Sequence, residues 1–330
     1  MKFLIVGLGS MGKRRARNLL ALKYKEIIGY DTNSKRRLEF QKKYKLKTLD
    51  KFADVKNSKY DALIISTDPK YHFKYIKFAI KHKMNCFIEA SIVNELAIRN
   101  EIKKIKDKSL VYAPSCCMRY YQLPINIKNL IKSKIIGKIL YLNYHTGQYL
   151  PDWHPWENIK RFYVSNRATG GCREIVPFEL NWINDIFGYP KKILSSYKNK
   201  ISQIKANIDD IYNFSLLYSR NLVAQITIEI LSRPKASRNI TIVGDKGKII
   251  YTSDTDKIKI FSLNKYREIK LKKQSKFKNY INPEIPYVNE MKDFISSIKS
   301  KNKKPFPSNF KSDLKLLDLL KKIELKSVGQ

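Results

Sequence analysis

Apolar positions follow two different rhythms along this chain. Over the first third, short continuous apolar runs alternate with stretches in which apolar residues recur at helical spacing. KFLIVGL (2–8) precedes Met11, Ala16, Leu19 and Leu20 on one helical face, and EIIGYD (26–31) precedes a charged helix beginning at Ser34. DALIIST (61–67) precedes a helix through Tyr75 and Ala79, and NCFIEA (85–90) precedes another helix and then SLVYAPS (109–115). Unbroken apolar runs joined by helices predict a parallel sheet covered on both faces. Beyond residue 138 the rhythm shortens to every second residue. KILYLNYHTGQY (138–149) alternates, DDIYNFSLLYSRNLVAQITIEI (209–230) predicts a hairpin, RNITIVGDKGKIIYTS turns at Gly244–Gly247, and KIKIFSLNKYREIKL predicts a further hairpin. The fold class is therefore α/β: an N-terminal Rossmann-type doubly wound parallel sheet over 1–120, followed by an α+β domain with a large, mostly antiparallel sheet over 121–330. The terminal helix is free to return to the first domain.

The first turn gives this pattern a chemical meaning. Gly7-Leu8-Gly9-Ser10-Met11-Gly12 is a GxGxxG between a predicted strand and a predicted helix. Such a turn lets the backbone approach a pyrophosphate, whose charge faces the free N–H groups of the helix start. Asp31 ends the second strand about 20 residues on, where a carboxylate accepts from a ribose 2′-OH. This favours NAD, with NADP open because Ser34, Lys35, Arg36 and Arg37 stand beside Asp31.

Composition modifies the picture only slightly. The chain has 330 residues, enough for two cores, and a formal charge of +37 from 66 basic and 29 acidic residues. Lysines occur in every segment instead of in one block, and no nucleic-acid reading element is recognisable. A generally basic, solvated surface fits this scatter, the functional alternative being attraction to an anionic small molecule such as a phosphorylated or nucleotide-linked sugar, ahead of nucleic acid or membrane. The cysteines, Cys86, Cys116, Cys117 and Cys172, lack metal-ligand spacing, so no metal is expected and a reduced, cytoplasmic setting is.

GLGSMGKRRARNLL, STDPKYHFKYIKFAIKHKMNCFIEA and Arg119 in CCMRYYQLP resemble the Gfo/Idh/MocA oxidoreductases, and the similarity extends through KIIGKILYL, the GDKGKI hairpin and YVNEMKDFISSI. The resemblance implies an NAD(P)-dependent enzyme acting on sugars or cyclitols. It implies cofactor contacts at Ser66, Thr67, His72, Glu89 and Arg119 in addition to the glycine turn and Asp31. In that family the fourth or fifth strand ends in Glu-Lys-Pro, with the glutamate beside the nicotinamide and the lysine at the substrate. Here Glu89 matches the glutamate, but Ala90 and Ser91 stand where the lysine and proline should be. The family also carries an aspartate and, four residues later, a histidine ahead of a helix ending in Phe-Gly. In GGCREIVPFELNWINDIFG (170–188) these positions hold Glu174 and Phe178. Neither alanine nor phenylalanine moves a proton.

Replacement proton-transfer groups are sought nearby. YLPDWHPWENIKRFYVSNRATGG (149–171) sets His154 between Trp153 and Trp156, with Asp152 and Glu157 flanking. His154 is the first candidate because it titrates near neutral pH, with Glu179 and Glu174 behind it. Pro177 suits a first helical position, which would make Glu179 either a site carboxylate or a first-turn acid of a 177–187 helix. Trp153, Trp156, Glu157, Tyr163 and Arg173 are the candidate substrate contacts, since aromatic faces stack on sugar rings while polar groups bond their hydroxyls. Two functions stay open: a carbohydrate or nucleotide-sugar oxidoreductase, and a cofactor-binding sensor without turnover. A homodimer or homotetramer through the second domain's sheet is expected, because one face of that sheet has no covering helices.

Overall fold

The computed structural model describes residues 1–90, 94–153, 159, 163–263, 265–277 and 282–328. They form two compact units, Met1–Tyr120 with Gln274–Leu317, and Tyr121–Lys273 with the chain from Asp318 on.

The first unit is built on β1 (Phe3–Val6), β2 (Ile27–Tyr30), β3 (Lys47–Leu49), β4 (Ala62–Ile65), β5 (Asn85–Ile88) and β6 (Tyr112–Pro114). Its six strands are all parallel in the order β3-β2-β1-β4-β5-β6. The order reverses between β1 and β4, which opens a crevice at their carboxyl ends. β1 and β4 are buried at every residue, which explains their unbroken apolar character. Crossovers run through α1 (Ser10–Ala21), α2 (Ser34–Tyr44), α3 (His72–Lys81) and α4 (Glu95–Ile102). β3, with the sequence KTL, is a short edge strand too small and too polar for its period to be recognised.

A later helix, α7 (Ile285–Lys299), lies against α1 and adds Met291, Phe294 and Ile295 to the core around Phe3, Ile5, Leu19 and Phe87. Two arginines and an asparagine on one face of α1 hold this segment. Arg14 Nε and Arg17 Nη2 both meet Glu284 Oε1, at 3.1 and 2.9 Å, and Asn18 donates to Glu284 Oε2 at 3.3 Å.

The second unit is an eight-stranded sheet packed on α6 (Cys172–Phe187), with α5 (Gln122–Lys132) beside it. Its strands are β7 (Ile139–Gly147), β8 (Lys192–Asn199), β9 (Ile211–Leu217), β10 (Val223–Glu229), β11 (Ser237–Gly244), β12 (Gly247–Thr252), β13 (Lys257–Ser262) and β14 (Lys265–Lys270), in the order β14-β13-β12-β11-β7-β10-β9-β8. All neighbours are antiparallel except β7 and β10. The three expected hairpins form, and alternation buries Tyr212, Phe214 and Leu216 on one side of β9. The last helix, α8, is Phe310–Leu325.

One expectation about α6 is corrected. The helix begins at Cys172, not Pro177, so the proline lies inside it and Glu179 lies beyond its first turn. Gly171, at φ +62°, makes the reversal that starts the helix early, and Glu174 is the first-turn acid. Glu179 is buried at 2% exposure, which ends its reading as an exposed dipole partner.

Candidate functional site

The three glycines of the first turn are glycine for different reasons. Gly7 has φ +86°, and a Cβ there would sit 2.5 Å from the Ser66 carbonyl oxygen. A Cβ on Gly12 would overlap the Gly7 carbonyl, so its absence lets α1 close on β1. Gly9 is unlike both: a Cβ there would meet nothing nearer than Arg36 Nη1 at 3.9 Å. The protein's own packing does not demand glycine at position 9. The space beside that backbone is open to a ligand, and the start of α1 places N–H donors there.

Asp31 is set for the neighbouring part of such a ligand. Its Oδ2 accepts the Leu8 N–H at 2.8 Å and its Oδ1 accepts the Asn33 N–H at 2.8 Å, which fixes the carboxylate across the turn. Each oxygen keeps a second acceptor position. Leu8 is fully buried, so it serves as the anchor of the turn. Arg36 approaches Asp31 Oδ2 at 3.8 Å and is half exposed, while Arg37 donates to the Asp31 carbonyl and pairs with Asp50. The residues present fit a dinucleotide, with Gly7 to Gly12 at the pyrophosphate and Asp31 at the ribose. Ser10 and Met11 open α1 in this turn, and Met11 Sδ lies 3.9 Å from Arg14 Nη1.

At the end of β4, Ser66 and Thr67 border the crevice. His72 is completely buried at the start of α3, with Nε2 3.0 Å from the Thr67 carbonyl. Burial holds its pKa below the usual histidine value, so the neutral ring, donating from Nε2, shapes the Ser66–Thr67 turn.

Glu89, just past β5, has an unforeseen partner. Arg15, completely buried in α1, donates to it from Nε at 2.6 Å and from Nη2 at 3.0 Å. The same guanidinium lies 2.9 Å from Glu290 Oε2 on α7 and over the Phe87 ring at 4.4 Å. Burial works against the Arg15 charge, but the two carboxylates outweigh it and hold the guanidinium charged more firmly than usual. Ser66 Oγ lies 3.5 Å from Glu89 Oε1. Arg119, in the 3-10 segment Cys117–Tyr120 that follows β6, donates to the Pro307 carbonyl at 3.0 Å.

In the second unit Glu179 is the centre of a closed network. Its Oε2 accepts from Tyr144 at 2.6 Å and Trp182 Nε1 at 2.7 Å, and its Oε1 meets Arg238 Nη2 at 2.6 Å. Arg238 and Tyr144 were not among the sequence candidates. Their only signal was period-two placement on the helix-facing side of β11 and β7. Glu174 accepts from the Tyr163 hydroxyl at 2.9 Å, which brings together two candidates eleven residues apart. Arg173 pairs with Glu324 at 2.7 Å and donates to the Ala168 carbonyl at 2.6 Å. Trp153 follows the 3-10 turn Leu150–Asp152. His154, Trp156 and Glu157 lie outside the described residues. His145 sits 3.1 Å from Glu229 on the opposite sheet face. All four cysteines are buried and unbridged, and the described residues contain no cluster of three or more metal-ligating side chains.

A parallel sheet in the order 3-2-1-4-5-6, a glycine turn with room at its middle glycine, and a pinned acid after β2 define a dinucleotide-binding Rossmann unit. Residues 1–111 match the family model described as "Oxidoreductase family, NAD-binding Rossmann fold", and residues 125–250 match "GFO/IDH/MocA C-terminal domain". The chain belongs to the GFO/IDH/MocA oxidoreductase family, and its first unit is that family's NAD-binding domain. Comparison with curated proteins gives no match. Solved structures share the fold at low identity. An oxidoreductase from Agrobacterium radiobacter, in complex with NAD+, L-tartaric acid and magnesium, is 13% identical with a TM-score of 0.82, covering 97% of this chain and 94% of that one. Levoglucosan dehydrogenase, in complex with NADH and levoglucosan, is 12% identical with a TM-score of 0.82, covering 99% and 97%. UDP-N-acetylglucosamine 3-dehydrogenase GnnA from Acidithiobacillus ferrooxidans is 14% identical with a TM-score of 0.76, covering 99% and 97%. No helix among the described residues is long and apolar enough to cross a membrane.

Proposed function

We propose that this chain is an NAD(P)-dependent oxidoreductase acting on a sugar, a cyclitol or a nucleotide-activated sugar. The observation that carries the cofactor half is Gly9, whose missing side chain leaves open space beside the start of α1 that the protein's own packing does not fill. The carbohydrate half is supported by the substrates named for the structural relatives, levoglucosan and UDP-N-acetylglucosamine. The aromatic segment around Trp153 and Trp156 supports it from the sequence.

When bound, the nicotinamide cofactor supplies or receives the hydride. Gly7, Gly9 and Gly12 admit its pyrophosphate, Asp31 orients the adenosine ribose, and the Ser66–Thr67 turn, braced by His72, borders the other half of the crevice. Glu89 cannot act with a neighbouring lysine because position 90 is alanine. Its carboxylate is instead tied to Arg15. The alcohol proton is assigned to the second unit, with His154 the first choice. Glu174 follows, paired with Tyr163 as a hydroxyl–carboxylate relay. Glu179 comes last, because Tyr144, Trp182 and Arg238 already occupy its oxygens.

A second reading, a cofactor-binding sensor without turnover, is favoured by Ala90 and Phe178 at the positions of the family's lysine and histidine. One experiment separates the two: fluorescence titration with NADH and NADPH, followed by a screen of sugars, cyclitols and nucleotide sugars for cofactor reduction or oxidation. Turnover of any of these supports the enzyme. Tight cofactor binding without turnover supports the sensor, and no binding of either dinucleotide overturns both.

A further inference from the structure

The cluster behind the end of β5 carries one negative charge too many. Arg15 contributes a single positive charge, and Glu89 and Glu290 bring two carboxylates to it. Glu290 is completely buried. Its Oε1 accepts from the Ser115 hydroxyl at 2.9 Å and the Cys116 N–H at 2.6 Å, whereas its Oε2 stands 2.9 Å from Arg15 Nη2 without hydrogen-bond alignment. Arg15 Nη1 also lacks a hydrogen-bond partner among the described residues.

Among the described residues Arg14 shares the Tyr287 ring with Arg15, at 4.1 and 5.3 Å, but its charge is paired with Glu284 at 3.1 Å. Burial keeps the Cys117 thiol protonated, and Tyr287 on α7 is the phenol beside it. Tyr120 is kept protonated by burial, and its hydroxyl donates to Asp293, one turn further along α7, at 3.0 Å. His72, at the start of α3, feels the charges of Glu89 and Asp68, and burial nonetheless favours its neutral form. The triad therefore carries −1 when both carboxylates are ionised and zero when Glu290 holds a proton. Burial, added to the nearby Glu89 charge, favours that proton against the pull of Arg15.

Position turns this charge into a property of the site. Glu89 follows β5, on the side of the β1/β4 reversal away from Asp31. A dinucleotide with its adenosine ribose at Asp31 and its pyrophosphate at the glycine turn directs its other half toward the ends of β4 and β5. The nicotinamide ring is cationic when oxidised and neutral when reduced. We propose that the Glu89–Arg15–Glu290 triad sets the preference between oxidised and reduced cofactor, and that Glu290, by holding or releasing one proton, is its determinant. With Glu290 ionised the triad attracts the cationic ring, and with Glu290 protonated that attraction is lost. NAD+ binding and proton release from Glu290 are thus linked, while NADH binding is indifferent to it. The inference rests on the dinucleotide reading above and assigns to it a residue outside the glycine motif.

The test is to measure dissociation constants for NAD+ and NADH separately on the full chain, from about pH 4.5, the ordinary glutamate range, to about pH 9. In the wild type the ratio is expected to move toward NAD+ as pH rises. Glu290→Gln keeps an acceptor for Ser115 and Cys116 but removes the charge. It is expected to weaken NAD+ on the order of 10-fold at high pH, the scale of one charge acting across a partly buried site, and to leave NADH unchanged. The pH dependence of the ratio should vanish with it. Equal weakening of both forms, or a wild-type slope that persists in Glu290→Gln, overturns the proposal. If the variant does not fold, a flat wild-type ratio across the range overturns it alone. Binding of neither dinucleotide overturns the cofactor reading itself, whereas normal binding with an indifferent ratio overturns this inference only.

Discussion

At the scale of single residues, the glycine turn makes the sharpest separation between what the fold needs and what a ligand needs. Gly9→Val adds a side chain where the protein leaves space, so the melting temperature should stay within a few degrees of wild type while NADH affinity falls at least about 10-fold. Gly12→Val drives a side chain into the Gly7 carbonyl and should lower the melting temperature instead. Calorimetric melting and NADH titration of both variants check this, and equal effects on both measurements would remove the distinction. Asp31→Ala should weaken NAD more than NADP, since it removes the acceptor for the ribose and leaves Arg36 without its anionic neighbour. The proton acceptor is tested by His154→Ala. A fall in turnover of about 10²–10⁴-fold with cofactor affinity nearly intact is the result expected of a general base. Unchanged turnover would discard His154, and increased activity in Ala90→Lys would show that the family's own relay can be rebuilt at that position.

At the scale of elements, legibility followed the range of the interactions. The crossovers from β1 to α1 and from β4 to α3 were readable because a buried parallel strand and an amphipathic helix each leave a local period. The glycine turn was readable because its constraints are local too. Arg15 was not, because KRRAR has the appearance of a solvated helix face. Its burial depends on Glu89 and Glu290, which reach it only after the sheet has formed and α7 has returned to α1. Pro177 misled for the opposite reason: its local preference for a helix start was overridden by Gly171, which turns the chain into α6 earlier. The start of α8 holds another long-range feature. Asp313 is buried, its Oδ2 has no partner among the described residues, and burial pushes its pKa up to about 7. In the unfolded chain the group titrates at about 3.9, so below that pH both states are protonated and Asp313 costs nothing. As pH rises from about 4 toward 7 the unfolded state loses its proton first and stability falls, with the full loss present above pH 7. Asp313→Asn should therefore raise the melting temperature at pH 8 and leave it nearly unchanged at pH 4. The gain at pH 8 is on the order of 2–4 kcal/mol. A pH-independent difference between the two proteins would show that the carboxyl ionises in the fold as readily as in the unfolded chain, and would remove the argument.

At the scale of the whole molecule, the distribution of charge is informative where its total is not. Basic residues make up 66 of 330, one in five, yet β7, β9 and β10 contain no lysine or arginine at all. Alternation assigns Leu142, Tyr144 and Thr146 to the side covered by α6, where Tyr144 meets Trp182 edge-on at 5.5 Å. The opposite side therefore carries Tyr141, Asn143 and His145, with Asn213 and Ser215 on β9 and Gln225 and Thr227 on β10. These side chains already bond one another: Tyr141 donates to Gln225 at 3.0 Å and Asn213 to Thr227 at 2.7 Å. On its three central strands this face is thus polar where the sequence suggested half-apolar, and it carries no lysine or arginine there, although Glu229 lies on it beside His145 and Lys248, Lys257 and Lys259 follow by alternation on β12 and β13. Keeping lysine and arginine off the centre of the face is what close approach of a second, equally basic copy requires, because two chains of +37 repel where their cations are brought together. We propose that this face joins identical chains in a dimer or tetramer. Light scattering at micromolar concentration should give a multiple of 38.8 kDa. Raising the salt should strengthen the association, since screening relieves the residual repulsion between copies. Gln225→Lys, which places a cation at the centre of the face and is expected to meet its own symmetry mate or a close neighbour of it, should shift the particle toward the monomer without lowering the melting temperature of the isolated chain. A wild-type monomer under these conditions, or an association that salt weakens and Gln225→Lys leaves intact, would place the contact elsewhere or remove it.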